Sequence, residues 1–387
     1  MKRDISLLLL AQFLTAFADN AILFTAIAMV LRSGDTSGWY VPTLQASFLV
    51  AFVLLAPWVG PFSDRHPKTQ VLMHANWIKA AGAGLMLTGL DPLLSYAVVG
   101  MGAAMYSPAK YGILPELVER SALVRANGWV EGSTIIAIIT GSLAGGALAD
   151  QSVPAALTMV LILFLLSSLS AGFIRSTPVH SGDRHPALPH FTAVLGRLLN
   201  DRRARFTLLS LSLFWGAAVV LRVLVVAWAP LVLLLDKSAD IAGLILYSAI
   251  GIAIGSLLAA RLIPLQRLYR APLAACAMGL FILLLAFVDT IWPARLVLLL
   301  TGLAGGIFVV PVNAALQEIG QRTVGPGNAV AVQHFFENLA MLGTTGTYAA
   351  ATLLGATPVP SITVLGLAVI GTTVMVSRHL PGGREPE

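Results

Sequence analysis

The chain of 387 residues is 57% hydrophobic and only 11% charged, with a mean hydropathy of +0.85. Too few charges remain to cover the surface of a soluble protein of this size, which excludes a soluble enzyme or binding domain and indicates a polytopic membrane protein. The formal charge of +6 fits basic loops held on the cytoplasmic side of a membrane, and no basic run interleaved with aromatic residues points to nucleic acid.

The amino terminus carries Lys2 and Arg3, then ISLLLLAQFLT, then Ala16-Phe17-Ala18, the layout of a secretory signal with an A-x-A cleavage site. Apolarity resumes after Asp19-Asn20 with AILFTAIAMVL, so the joined stretch is long enough to cross a bilayer and is retained as the first span. Continuing along the chain, apolar runs between turn and charge signals predict twelve helical spans: 5–31, 40–62, 70–90, 92–114, 126–149, 153–174, 207–234, 240–262, 271–289, 292–318, 327–354 and 357–378. The single cysteine, Cys276, excludes an internal disulfide. No Cys/His cluster has zinc spacing, and no cofactor is expected.

Basic residues fall mostly in alternate connections. One side receives Lys2, Arg3, Arg65, Lys68, Arg120, Arg125, the cluster from Arg175 to Arg205, Arg261, Arg267, Arg270, Arg322, Arg378 and Arg384. The other side receives little beyond Arg32, Lys237 and Arg295. That asymmetry, with an even number of spans, predicts both termini in the cytoplasm.

The longest connection, 176–206, starts rich in turn residues and ends FTAVLGRLLNDRRARF. This amphipathic basic stretch suits an anionic lipid surface, and equally a solvated linker with stop-transfer charges. It separates residues 1–175 from 207–387, six spans on each side. The two parts echo each other: YSPAKYGILPEL followed by ANGWVEG corresponds to VVPVNAALQEIG followed by GNAVAVQHFFEN. The expected fold is all-α, with twelve transmembrane helices in two six-helix bundles, the major facilitator arrangement with a substrate site between the halves.

After the second span comes GPFSDRHPK, residues 60–68, which resembles the major facilitator loop signature of a glycine, an aspartate four residues on, then basic residues. Asp64 can bridge to helix amino termini, while Arg65 and Lys68 can pair with acidic groups. In that superfamily the loop helps to latch the cytoplasmic gate; a basic turn that enforces topology is the other reading. The matching stretch of the second half, GSLLAARLIPLQR, has no aspartate, so one copy of the latch is expected. The fifth span offers Gly141, Gly145 and Gly146 for close approach of a neighbour. Their spacing resembles an antiporter glycine motif, but Ser142 stands where that motif has proline, and helix packing is the preferred reading.

A charge at mid-bilayer costs at least ~2.5–3.5 kcal/mol and is normally turned inward, where it is paired or hydrated. Asp19 lies near the middle of span 1 beside Asn20, and Arg222 near the middle of span 7. Lys79 lies within span 3, Lys110 near the cytoplasmic end of span 4, and Glu131 and Glu337 some two turns into spans 5 and 11. Asp19 and Arg222 are read as site residues of a shared cavity. Lys79 and Glu131, nearer the surface, suit either a site or interhelical pairing. With no Gly-Lys dipeptide there is no P-loop, and no Gly-x-Ser-x-Gly elbow or acyltransferase His/Asp pair supports an embedded enzyme.

Together AQFLTAFADNAILF, GMGAAMYSPAKYGILPEL, ANGWVEGSTI, GSLAGGALAD, SLFWGAAVVLRVLVVAW, FVVPVNAALQE and GNAVAVQHFFENLAML resemble the lysophospholipid transporter family of the bacterial inner membrane, within the major facilitator superfamily. The resemblance implies flipping of lysophospholipids, chiefly lysophosphatidylethanolamine, from the outer to the inner leaflet. A cytoplasmic lysophospholipid acyltransferase would be the functional partner. Arg222, helped by Lys110, would hold the phosphate, and Asp19, with Glu131, would receive the ammonium. The alternative on the same fold is a proton-coupled exporter of amphipathic small molecules, with Asp19 or Glu337 carrying the proton.

Overall fold

The computed structural model describes residues 2–32, 40–175, 187–235 and 238–378. Lys237, Arg384 and the polar start of the connecting loop at 176–186 lie outside the described residues. The described residues form thirteen α-helices: α1 (Lys2–Arg32), α2 (Tyr40–Arg65), α3 (Lys68–Leu87), α4 (Pro92–Leu117), α5 (Leu123–Gln151), α6 (Val153–Gly172), α7 (Ala187–Asn200), α8 (Arg202–Val232), α9 (Ser238–Leu262), α10 (Ala271–Leu285), α11 (Ile291–Thr323), α12 (Pro326–Leu353) and α13 (Pro358–Ser377). Each of the twelve expected spans coincides with one helix. The additional helix, α7, is the amphipathic stretch of the long connection.

Local signals account for several of the boundaries. At the start of α4 the Asp91 carboxylate accepts from the Leu93 and Leu94 N–H groups, with Pro92 as the first helical residue. Ser152 caps α6 by accepting from Ala155 N–H, and Asp201 caps α8 by accepting from Ala204 N–H at 2.7 Å. Gly325, between α11 and α12, has φ +92, a backbone conformation open to glycine.

Nine helices among the described residues are long and apolar enough to cross a membrane. Helices α3, α4 and α12 fall outside that set. All three bury strongly polar side chains: Lys68, Asn76 and Lys79 in α3, Lys110 in α4, and Asn328, Gln333, Glu337 and Asn338 in α12. Buried polarity lowers the apolar signal of these helices.

The chain divides into two compact units. Unit 1 comprises Met1–Arg120, Ile136–Gly196 and Gln317–Phe335; unit 2 comprises Ser121–Ile135, Arg197–Leu316 and Phe336–Glu387. In unit 1, α3 packs on α4 and α6, α2 on α4, and α1 on α6. Its buried cluster includes Ala18, Ile22, Met86, Tyr96, Val99, Leu157 and Phe164, with the Phe48 ring stacked 5.2 Å from that of Tyr96. In unit 2, α10 packs on α13 and α13 on α8.

Helix contacts rest on small residues, as expected where lipid offers no hydrophobic drive for helices to associate. On α5 a Cβ at Gly141 would collide with the Phe17 backbone of α1, and one at Gly145 with Ala21. Gly146, the third glycine of the sequence motif, meets nothing within 4 Å. In unit 2, α9 and α11 interlock: Gly251 and Gly255 face Leu299 and Leu303, while Gly302 and Gly306 face Ser248 and Ile252.

Helix α7 buries Phe191, Val194 and Leu198, one face at helical spacing. The Phe191 ring meets that of Phe335 at 5.6 Å, edge to face. Its apolar stripe therefore packs on protein.

The α1–α5 contact gives a paired prediction. Gly145→Leu should lower stability by about 1–3 kcal/mol through overpacking, whereas Gly146→Leu should stay within about 0.5 kcal/mol of wild type. Thermal unfolding in detergent distinguishes the two, and equal losses would remove the packing role from Gly145.

Candidate functional site

Asp19 stands midway along α1, one turn beyond Thr15, and Lys79 stands on α3, three residues beyond Asn76. These positions bring four polar groups to one seam of unit 1. The Lys79 Nζ donates to Asp19 Oδ2 at 2.7 Å and to Thr15 Oγ1 at 3.0 Å. Thr15 Oγ1 donates to Asn76 Oδ1 at 2.8 Å, Asn76 Nδ2 to Ser167 Oγ at 2.9 Å, and Ser167 Oγ to the Ala11 carbonyl at 2.7 Å. The ladder joins α1, α3 and α6 by hydrogen bonds.

The Lys79 ammonium also lies 4.8 Å from the Tyr106 ring centroid and 5.6 Å from that of Phe164. Gly102 of α4 makes room for its stem, because a Cβ there would come within 2.6 Å of Lys79 Cγ. Lys79 is 1% exposed and Asp19 19%. The second carboxylate oxygen, Asp19 Oδ1, is buried with no hydrogen-bond partner. One oxygen of Asp19 is thus anchored while the other keeps its acceptor capacity, an arrangement able to take a further cationic or N–H donor.

The remaining expected residues fall as follows. The Asn20 Nδ2 donates to the Ala16 carbonyl of its own helix at 2.8 Å. Lys110 is buried with its Nζ 4.0 Å from the centroid of the Tyr111 ring. Arg222, Glu131 and Glu337 belong to unit 2. The two glutamates are buried. Arg222 is exposed, and no described residue forms an ion pair or hydrogen bond with it. Among the described residues no group of three or more His, Cys, Asp or Glu is placed to hold a metal ion.

A second polar centre lies at the end of α2. Asp64 accepts from the backbone N–H of Gly327 (2.7 Å) and of Asn328 (2.9 Å), at the start of α12. The carboxylate meets two otherwise orphaned donors and the positive end of the helix dipole. Lys68, also buried, donates to Asp64 Oδ1 at 3.0 Å and to the Ser63 carbonyl at 2.7 Å. Arg65 ends α2, half-buried.

The glycines are the condition for this contact. A Cβ at Gly325 would collide with Asp64, one at Gly327 would lie 2.7 Å from its Oδ1, and one at Gly60 would lie 2.9 Å from Asn328 Oδ1. Nearby, Glu318 near the end of α11 pairs with Arg120 and Arg322, and the Gln321 side chain donates to the Pro115 carbonyl at 3.3 Å.

Sequence reading singled out Asp19, Lys79, Asp64 and Lys68 without pairing Asp19 with Lys79. It passed over Thr15, Asn76, Ser167, Tyr106 and Gly102. A signal existed for two of these: Thr15 and Asp19 are four apart on one helix, Asn76 and Lys79 three apart on another, each pair on one face. Ser167 and Gly102 carry no comparable signal.

Two predictions follow from these centres. Lys79→Met leaves a buried carboxylate uncompensated and should cost about 3–5 kcal/mol. The double variant Asp19→Asn/Lys79→Met should recover part of that loss in denaturant unfolding; additive losses would show the two side chains to be uncoupled. For the second centre, Asp64→Asn should speed amide hydrogen exchange at Gly327 and Asn328, and unchanged protection there would show the carboxylate to be dispensable for holding the start of α12.

Comparison with known proteins agrees with these features. The family model described as Major Facilitator Superfamily matches residues 8–344. The lysophospholipid transporter LplT of Photorhabdus laumondii is 41% identical over 94% of this chain and 91% of its own length. The LplT of Enterobacter sp. (strain 638) is 43% identical, over 89% of this chain and 88% of its own. Among solved structures, the human organic anion transporter MFSD10 superposes with a TM-score of 0.79 at 16% identity, covering 98% of this chain and 99% of that chain. A bacterial homologue of the iron transporter ferroportin gives 0.76 at 17% identity, covering 97% and 98%. At such low identity these two structures speak for the fold alone. The chain is a member of the Major Facilitator Superfamily and, within it, of the lysophospholipid transporter family.

Proposed function

We propose that this protein moves lysophospholipids, chiefly lysophosphatidylethanolamine, from the outer to the inner leaflet of the bacterial inner membrane, where a cytoplasmic acyltransferase re-acylates them. The observation that carries this reading is the 41–43% identity to relatives named lysophospholipid transporters, extending over about nine-tenths of the chain. In this reading the chain crosses the membrane twelve times as two six-helix halves, 1–175 and 207–387, with both termini in the cytoplasm.

The substrate head group carries one phosphate and one ammonium. The unpartnered Oδ1 of Asp19 suits the ammonium, and the exposed guanidinium of Arg222, which has no ion pair among the described residues, suits the phosphate. Because Lys79 already holds Oδ2, a bound ammonium would share the carboxylate with Lys79, which keeps the buried charge compensated when substrate leaves. Asn20, Lys110, Glu131 and Glu337 complete the polar lining. Asp64, Arg65 and Lys68 act as the cytoplasmic latch, in which release of the α12 N–H groups by Asp64 accompanies opening. The acyl tail needs no polar contact and lies along apolar helix surface.

The test is uptake of labelled lysophosphatidylethanolamine into proteoliposomes. Asp19→Ala and Arg222→Ala, each expressed at wild-type level, should slow uptake by about tenfold or more, the loss of one charge-assisted contact. Uptake by both variants at the wild-type rate would overturn the site assignment. Downhill transport persists when the proton gradient is collapsed; its abolition would assign the protein as a proton-coupled exporter.

A further inference from the structure

At the start of α11, in unit 2, the Arg295 side chain has no anionic partner among the described residues. The Arg295 guanidinium lies over two rings, that of Trp292 one turn earlier (4.8 Å to the centroid) and that of Tyr247 on α9 (5.5 Å). The interlocked glycines of α9 and α11 hold these two helices close enough for the contact. The Arg295 Nε is buried with no hydrogen-bond partner, and no described residue pairs with the side chain.

A cation near a helix N-terminus faces the positive end of the dipole, and a buried, unsatisfied charged donor carries a desolvation cost. The same chain builds the opposite arrangement at the start of α4, the helix that the internal repeat sets against α11, where Asp91 caps the first N–H groups. The first turn of α11 contains no acidic residue. The ring contacts engage the guanidinium carbon and use none of its N–H donors, which stay available for hydrogen bonding. Those donors match a phosphate in geometry and charge. Trp292, whose ring the guanidinium meets, and its chain neighbour Leu296 are exposed, Trp292 at 68%, so apolar surface adjoins the cation.

We propose that Arg295, held against Trp292 and Tyr247, binds the phosphate of a lipid head group, with the acyl chain resting on the neighbouring apolar side chains. The lipid nature of the ligand rests on the proposed function. The site precedes the Asp19 and Arg222 contacts: it takes the amphiphile from the surrounding leaflet and presents its phosphate. Trp292 at the start of α11 is suited to this depth, since Trp favours the interface between hydrocarbon and water.

The experiment uses the purified full chain in maltoside detergent, which contains no phosphate. Photoreactive lysophosphatidylethanolamine, photoreactive phosphatidylethanolamine and a photoreactive monoacylglycerol are titrated, and labelling of peptides spanning the start of α11 is read by mass spectrometry. Arg295→Ala should raise the half-saturating concentration of the lyso probe by about tenfold. Arg295→Lys should raise it less, and the phosphate-free monoacylglycerol should be unaffected. A shift confined to the lyso probe identifies the transported substrate as the source of the phosphate, and an equal shift for the diacyl probe identifies phospholipid in general; both support the site. Unchanged labelling by both phospholipid probes in Arg295→Ala would overturn it, and full displacement by inorganic phosphate would overturn the lipid assignment. Should Arg295→Ala fail to fold, Arg295→Lys and Trp292→Leu carry the same comparison. Failure of the wild type to take up lysolipid in proteoliposomes would sink the proposed function while leaving this binding result to stand or fall independently.

Discussion

A carboxylate and an ammonium placed among membrane helices must compensate each other, because neither bulk water nor lipid will, and the Asp19–Lys79 pair imposes that condition on unit 1. Each neighbouring element answers it. Helix α1 supplies Thr15 as a second acceptor for the ammonium, α3 supplies Asn76, α6 supplies Ser167, and α4 supplies the Tyr106 ring and the absence of a side chain at Gly102. Packing alone would allow these helices to slide against one another in a lipid solvent. A polar ladder with fixed donors and acceptors allows one register. The open Oδ1 is the part of the arrangement that structural pairing does not use.

The same rule is met differently at the end of α2. There the compensation for Asp64 is a lysine one turn away together with backbone, two N–H groups at a helix start that have no intrahelical partner. Backbone donors require close approach, and close approach requires glycine at 325 and 327 and at 60 on the opposing helix. The second half keeps the glycine, but Ala259, buried, stands four residues on where the first half has Asp64. Without a carboxylate there is nothing for a helix start to dock on, which accords with an asymmetric latch in the proposed mechanism.

Arg222 and Arg295 represent the opposite case, cations for which the described chain offers no anion. A protein with only 11% charged residues overall has kept these two guanidinium groups within its helices with no ion pair among the described residues. In the proposed mechanism their anion is the moving phosphate, met first by Arg295 and then by Arg222.

The sequence by itself determined the helices and the family. Long apolar runs must become helices in lipid because every backbone N–H and C=O has to be satisfied within its own segment, so a helix at each of the twelve expected spans is legible in composition and turn signals. The segments YSPAKYGIL and ADNA carried much of the family resemblance, and the reading of Asp64 as a bridge to a helix start followed from the resemblance of GPFSDRHPK to the major facilitator loop signature. Only the tertiary structure decided which charges meet. Asp19 and Lys79 are sixty residues apart, and helical periodicity says which face each occupies without saying which helix that face will touch. It likewise decided that the apolar stripe of α7 packs on protein where lipid was one expectation, that Gly141 and Gly145 serve α1 while Gly146 serves no contact, and that Tyr247 and Trp292 enclose Arg295. These outcomes depend on the rotation and separation of neighbouring helices, which small residues and polar ladders set collectively and no single segment encodes.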